Sequence, residues 1–70
     1  MTVYTVRSVG GGYEVFDRTG RRRSERPEAK DDAVIRARWL ATGAGAHILI
    51  YAKDGTFESS FFHDAQTPVE

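Results

Sequence analysis

The dipeptide Asp54-Gly55 sits directly behind a near-continuous apolar run, Ala46 to Ala52, and ahead of a second short stretch of strand-forming residues, Thr56 to Phe61. Asp-Gly between two such runs is among the strongest local signals for a tight hairpin, because its residues tolerate the positive φ that such turns demand. The C-terminal half is therefore expected to hold two antiparallel strands. The apolar run is rich in β-branched residues and has few polar interruptions, as in a strand inside a sheet.

A matching arrangement is expected at the other end. Thr2 to Val9 alternates, with Tyr4 and Val6 on one face and Val3, Thr5 and Arg7 on the other. Gly10-Gly11-Gly12 breaks it, and Tyr13 to Asp17 resumes as a second strand in which Tyr13 and Val15 share a face. The glycines precede a strand rather than a helix, so they are not a phosphate-cradling helix start.

Between the hairpins the composition becomes helical from Lys30 to about Thr42, with Glu28, Asp31 and Asp32 at the end where the helix dipole favours negative charge. Ala29 occupies the capping position and cannot accept from the free N–H groups, so a fraying first turn is expected. Ala33, Val34, Ala37, Leu40 and Ala41 fall within an arc of about 120° and form the expected core face. Gly43 and Gly45 supply the left-handed residue that ends a helix. The expected fold class is α+β, in ββαββ order, with one helix on one face of an antiparallel sheet of about four strands. One domain over residues 1–62 and a flexible tail over 63–70 complete the expected organisation.

A chain of 70 residues buries only roughly 60% of the surface its unfolded form exposes, and one core of this size supplies ~3–5 kcal/mol. With no cysteine there is neither disulfide nor thiolate metal site, so association with another chain is the remaining stabiliser. No stretch approaches the length of a membrane span. Met1-Thr2-Val3-Tyr4 enters a strand without the features of a secretory signal, and the expected location is the cytoplasm. His47 and His63 lie far apart, no metal spacing appears, and no cofactor is expected. Asp54, Glu58 and Asp64 lack a nucleophile or oxyanion hole to work with, so a non-enzymatic protein is expected.

The order of signals resembles a family of small bacterial proteins, domain of unknown function 2188. The resemblance runs over residues 4–60 and rests on Gly-Gly-Gly-Tyr-Glu-Val at 10–15, on Ala37, Arg38, Leu40 and Ala41 after Ala33, and on Ile48-Leu49-Ile50-Tyr51-Ala52-Lys53-Asp54-Gly55. It implies the same element order and a cytoplasmic bacterial or phage setting, and it carries no catalytic residues. The chain departs from that pattern at Ala29, where the family often has Thr, at Tyr13, where it has Trp, and at Ile35 and Trp39, where it has charged residues.

Those last two positions sit about 160° either side of Ala37 and only about 40° from each other, opposite the core face. An adjacent Ile and Trp rimmed by Arg36 and Arg38 has the anatomy of a small interface centre, and Trp is a frequent anchor. The expected function is a self-associating interaction module, a homodimer or a binder of another protein, through Ile35, Trp39, Arg36 and Arg38. The bland alternative puts Trp39 in the core or under Phe61, Phe62 and a folded-back tail. Self-association through the sheet competes if its second face carries Val3, Thr5, Phe16, Leu49 and Tyr51.

The other function class is nucleic-acid binding through Arg18, Arg21, Arg22, Arg23 and Arg26 in the 18–26 loop. Residues 1–26 carry a net charge of +3 and residues 27–70 a net charge of −3, so only a local patch would meet phosphates. The strand, strand, basic link, helix order over residues 4–41 is also similar to the arm-binding domains of phage integrases. The alternative for these arginines is a solvated loop partly neutralised by Glu14, Asp17, Glu25 and Glu28.

Overall fold

In the computed structural model, which describes residues 2–64 and 66, five elements follow one another. They are β1 (Val3–Val9), β2 (Gly12–Asp17), α1 (Lys30–Ala41), β3 (Ala46–Tyr51) and β4 (Phe57–His63). The ββαββ order is as expected. The four strands form one sheet in the order β2-β1-β3-β4. Both hairpins are antiparallel, but β1 and β3, which meet in the middle, are parallel. The sheet is thus mixed rather than wholly antiparallel.

The link between β2 and α1 explains the parallel pair. It runs back along the outside of β2, forming antiparallel bridges between Phe16 and Arg22 and between Tyr13 and Glu28. The chain has then returned to the glycine-turn end of the first hairpin. From there α1 must descend across the sheet, and β3 rises beside β1 in the same direction.

Burial follows the expected faces. Tyr4, Val6, Val15, Ile48 and Ile50 from the sheet meet Ala33, Ala37 and Ala41 from the helix, with Tyr13, Val34 and Leu40 packed around them. The three helix residues in the centre are alanines, so the axis lies close to the strands. Val6, Val15 and Ile48 are the largest fully buried side chains. Each contributes about 1.5–3 kcal/mol by leaving water.

Helix α1 starts at an extended Ala29 with no side-chain cap, and its first intrahelical bond runs from Ala33 N–H to Ala29 O at 2.9 Å. Its C-terminus is closed by Gly45, at φ 77°, whose N–H donates to Ala41 O at 2.7 Å. The second hairpin turns on Gly55, at φ 91°, with Asp54 Oδ1 accepting from Thr56 N–H and Oγ1–H at 3.0 and 2.7 Å.

Strand β4 runs further than expected. His63, placed at the start of a tail by its sequence, is the last strand residue, pairs with Ala46 and is 3% exposed. The opening residue of β3 needs a partner, and His63 supplies it. Of the expected tail, 65 and 67–70 lie outside the described residues. No helix among the described residues is long and apolar enough to cross a membrane.

Candidate interaction surfaces

The arginine-rich link is bound to the sheet. Asp17 organises its first turn: Oδ1 accepts from Thr19 N–H, Thr19 Oγ1–H and Arg21 N–H at 2.9, 2.6 and 3.0 Å, while Oδ2 faces Arg23 at 3.6 Å. The Thr19 hydroxyl, foremost among these partners, holds the Asp17 carboxyl below its ordinary value. Further along, Arg23 N–H donates to Val15 O at 2.7 Å, and Val15 N–H donates to the hydroxyl of buried Ser24 at 3.0 Å. Tyr13 and Glu28 exchange two backbone bonds, and Asp17 N–H reaches Arg21 O at 2.9 Å. Gly20 N–H reaches Asp17 O at 3.0 Å. Every outward N–H and C=O of Tyr13, Val15 and Asp17 is therefore satisfied.

The five arginines of the 18–26 segment do not act alike. Arg22 lies 3.3 Å from Glu14, whose side chain is nearly buried, and Arg23 faces Asp17. These two neutralise carboxylates of β2, which limits the cost of burying Glu14. Arg21 and Arg26 are exposed, and Arg18 borders a groove on the open side of the sheet.

The outer face of α1 holds the apolar pair expected there. Trp39 is 59% exposed, not in the core, and Ile35 is half-buried beside it. Arg36 holds Glu28 with two bonds, Nε to Oε1 at 2.5 Å and Nη2 to Oε2 at 3.3 Å, tying the helix to the end of the link. Ile35, Arg36 and Trp39 line a shallow 290 Å³ groove with Glu28 and Asp32. Arg38 does not line that groove but shares a second hollow with Ile35, Val34, Ile50 and Glu58.

The face of the sheet opposite α1 is not covered by any element among the described residues. The register places Thr5 beside both Phe16 and Leu49, and Tyr51 beside Phe57. The expected apolar set of Val3, Thr5, Phe16, Leu49 and Tyr51 does share this face, each half-buried by its neighbours. The Arg7 guanidinium lies 3.9 Å from the centre of the Phe16 ring, and edge-on ring contacts join Tyr51 to Phe57 and His47 to Phe62. A 560 Å³ groove crosses one end, with Arg7, Arg18 and Lys53 around Phe16 and Tyr51.

The family described as "Uncharacterized protein conserved in bacteria (DUF2188)" matches residues 3–61, a span that takes in both hairpins and the helix. The chain belongs to the DUF2188 family. No curated protein and no solved structure matches it.

For this DUF2188 chain the sequence-based reading missed Phe57, which is 55% exposed, and offered Phe61 and Phe62 as a cover for the helix, whereas both are strand residues of β4 and Phe62 is 56% exposed. Phe61 is also exposed, so of the four exposed large hydrophobics among the described residues three lie on β4 and Trp39 lies on the helix. Among the described residues no cluster of three or more His, Asp or Glu side chains is placed to hold a metal ion.

Proposed function

We propose that this DUF2188 protein is a non-enzymatic, cytoplasmic interaction module that works by self-association. The observation that carries the proposal is that the exposed rings of Phe57 and Phe62, beside Tyr51 and His47, extend an apolar sheet face without a cover, while Phe61 stands exposed on the other side of the same edge strand. Contiguous exposed apolar surface of this kind marks interaction sites, whereas single exposed residues do not. It favours the sheet side over the helix patch, where Trp39 and Ile35 offer a smaller second contact. Sedimentation equilibrium of the wild type beside Phe62→Glu and Trp39→Glu tests it. A wild type that dimerises, and that Phe62→Glu renders monomeric and folded, supports the sheet side; a monomeric wild type at all concentrations overturns the reading.

One observation favours a second reading. Arg7, Arg18 and Lys53 surround Phe16 and Tyr51 on an open sheet, and cationic side chains interleaved with aromatic rings suit single-stranded nucleic acid. Retardation of a labelled single strand that fades as salt rises supports it. No retardation at low salt ends it.

A further inference from the structure

The two edges of the sheet are treated differently. On β2 the link satisfies each outward backbone group, as described above. The direction of the groups on β4 follows from one bond: His47 N–H donates to Thr2 O at 3.0 Å, toward β1. Backbone groups alternate sides along a strand, so His47, Leu49 and Tyr51 address β1 while Ala46, Ile48 and Ile50 address β4. Their partners there are His63, Phe61 and Ser59. Ser60 and Phe62 consequently point their N–H and C=O away from the sheet, and among the described residues nothing meets them.

This bare edge has few of the devices that usually protect one. It has no proline or lysine, its single charge is Glu58, held by Lys30, and its one irregularity lies at the Ile50/Tyr51 register, ahead of Ser59–His63. Resting on the self-association reading above, we infer that β4 pairs antiparallel with β4 of a second copy, about a two-fold axis through Phe61.

The self-complementarity of the segment is the reason to name a second copy as the occupant. Centring the axis on Phe61 sets Ser60 of each copy opposite Phe62 of the other, so all four free backbone groups of each pair exchange bonds. Phe61 meets its counterpart in a non-hydrogen-bonded pair, the arrangement in which side chains approach most closely. On the open face the same pairing sets the two Phe62 rings beside the serines. The order becomes β2-β1-β3-β4-β4-β3-β1-β2, and both ends of this eight-stranded sheet are the edges already closed by the link. Growth therefore stops at two copies.

Ser60→Pro removes an outward N–H without touching the bonds to β3, because that N–H does not face β3. The expected result is a wild-type dimer with Ser60→Pro a monomer of unchanged circular dichroism, and Trp39→Glu still a dimer. In hydrogen exchange on the wild type, the Ser60 and Phe62 amides are expected to be protected in concentrated solution and to exchange at least tenfold faster on dilution. A dimeric wild type in which those two amides exchange freely, or in which folded Ser60→Pro remains a dimer, overturns the edge pairing while leaving self-association standing. Species larger than a dimer also overturn it, and a monomeric wild type removes both.

Discussion

Tyr13 and Glu28 exchange both backbone hydrogen bonds, Tyr13 N–H to Glu28 O at 2.7 Å and Glu28 N–H to Tyr13 O at 2.9 Å, and so close the outer edge of β2 next to the start of α1. Gly12 makes this approach possible. A Cβ there would lie 2.9 Å from both Glu28 O and Pro27 Cβ. Gly12→Ala is expected to push the link off the sheet and to cost about 1–3 kcal/mol, as overpacking does. A lower urea midpoint at unchanged m-value would bear this out; an unchanged midpoint would mean that the link is not seated as described.

Acid should loosen the same link. The Asp17 carboxyl is held below its ordinary 3.8, chiefly by the Thr19 hydroxyl, and the Glu28 carboxyl below its ordinary 4.5, chiefly by the Arg36 hydrogen bond. A carboxylate whose folded value is depressed contributes stability that is complete above the unfolded value and is lost as pH falls through the folded one. Melting temperature is expected to hold down to about pH 5 and to fall below it. Asp17→Asn keeps an acceptor for Thr19 but loses the charge, and should flatten part of that fall. Melts of both proteins across the acid range read the difference directly.

The uncapped helix start can be improved. Ala29→Ser places a hydroxyl where the free N–H groups of the first turn can reach it, with an expected gain of about 1 kcal/mol. In a domain of this size the melting temperature should rise by roughly 4–8 °C. No rise would show that the first turn finds its acceptors elsewhere.

The alanine ridge should be intolerant of size. Ala37 is fully buried between Ala33 and Ala41, against the sheet. Ala37→Leu is expected to lift the helix and to destabilise by about 1–3 kcal/mol. Ala37→Ser, close to alanine in volume, separates size from polarity when both are unfolded in urea.

Trp39 is the single tryptophan and therefore a reporter. Being 59% exposed, it should emit near the wavelength of the unfolded chain and be readily quenched by acrylamide. If the copies meet along β4, dilution across the dimer transition leaves that emission unchanged. A blue shift on concentration would place the contact on the outer helix face instead.

What the sequence made legible was what local signals encode. Asp54-Gly55 and the glycine turn marked both hairpins, the 100° spacing separated the alanine ridge from Trp39, and strand alternation placed Phe16, Leu49 and Tyr51 on one face. The parallel β1/β3 pair was not legible, because it depends on the route of the link. That route is fixed by backbone bonds at Tyr13, Val15 and Asp17, which leave little trace in side-chain type. With nothing apolar to bury, residues 21–27 read as either a surface connection or a short edge segment, and the bridges at Arg22 and Glu28 show the edge segment. His63 was misplaced for a similar reason: its burial comes from pairing with Ala46, a partner distant in sequence. Arg38 flanks Ile35 as helical spacing implies, and only the packed structure shows that the hollow they share reaches Ile50 and Glu58.

The parallel contact between β1 and β3 also sets a timetable. The first hairpin can close on its own, but its inner strand gains its second neighbour only after the link, the helix and β3 have followed. Pairings between distant segments are slow to form, because the loop between them must be ordered first. A ribosome-bound chain stopped before Ala46 would leave one side of β1 unpaired. Sheet closure is therefore a late event in the life of each molecule, and the nascent chain spends that interval with its middle strand open to wrong partners.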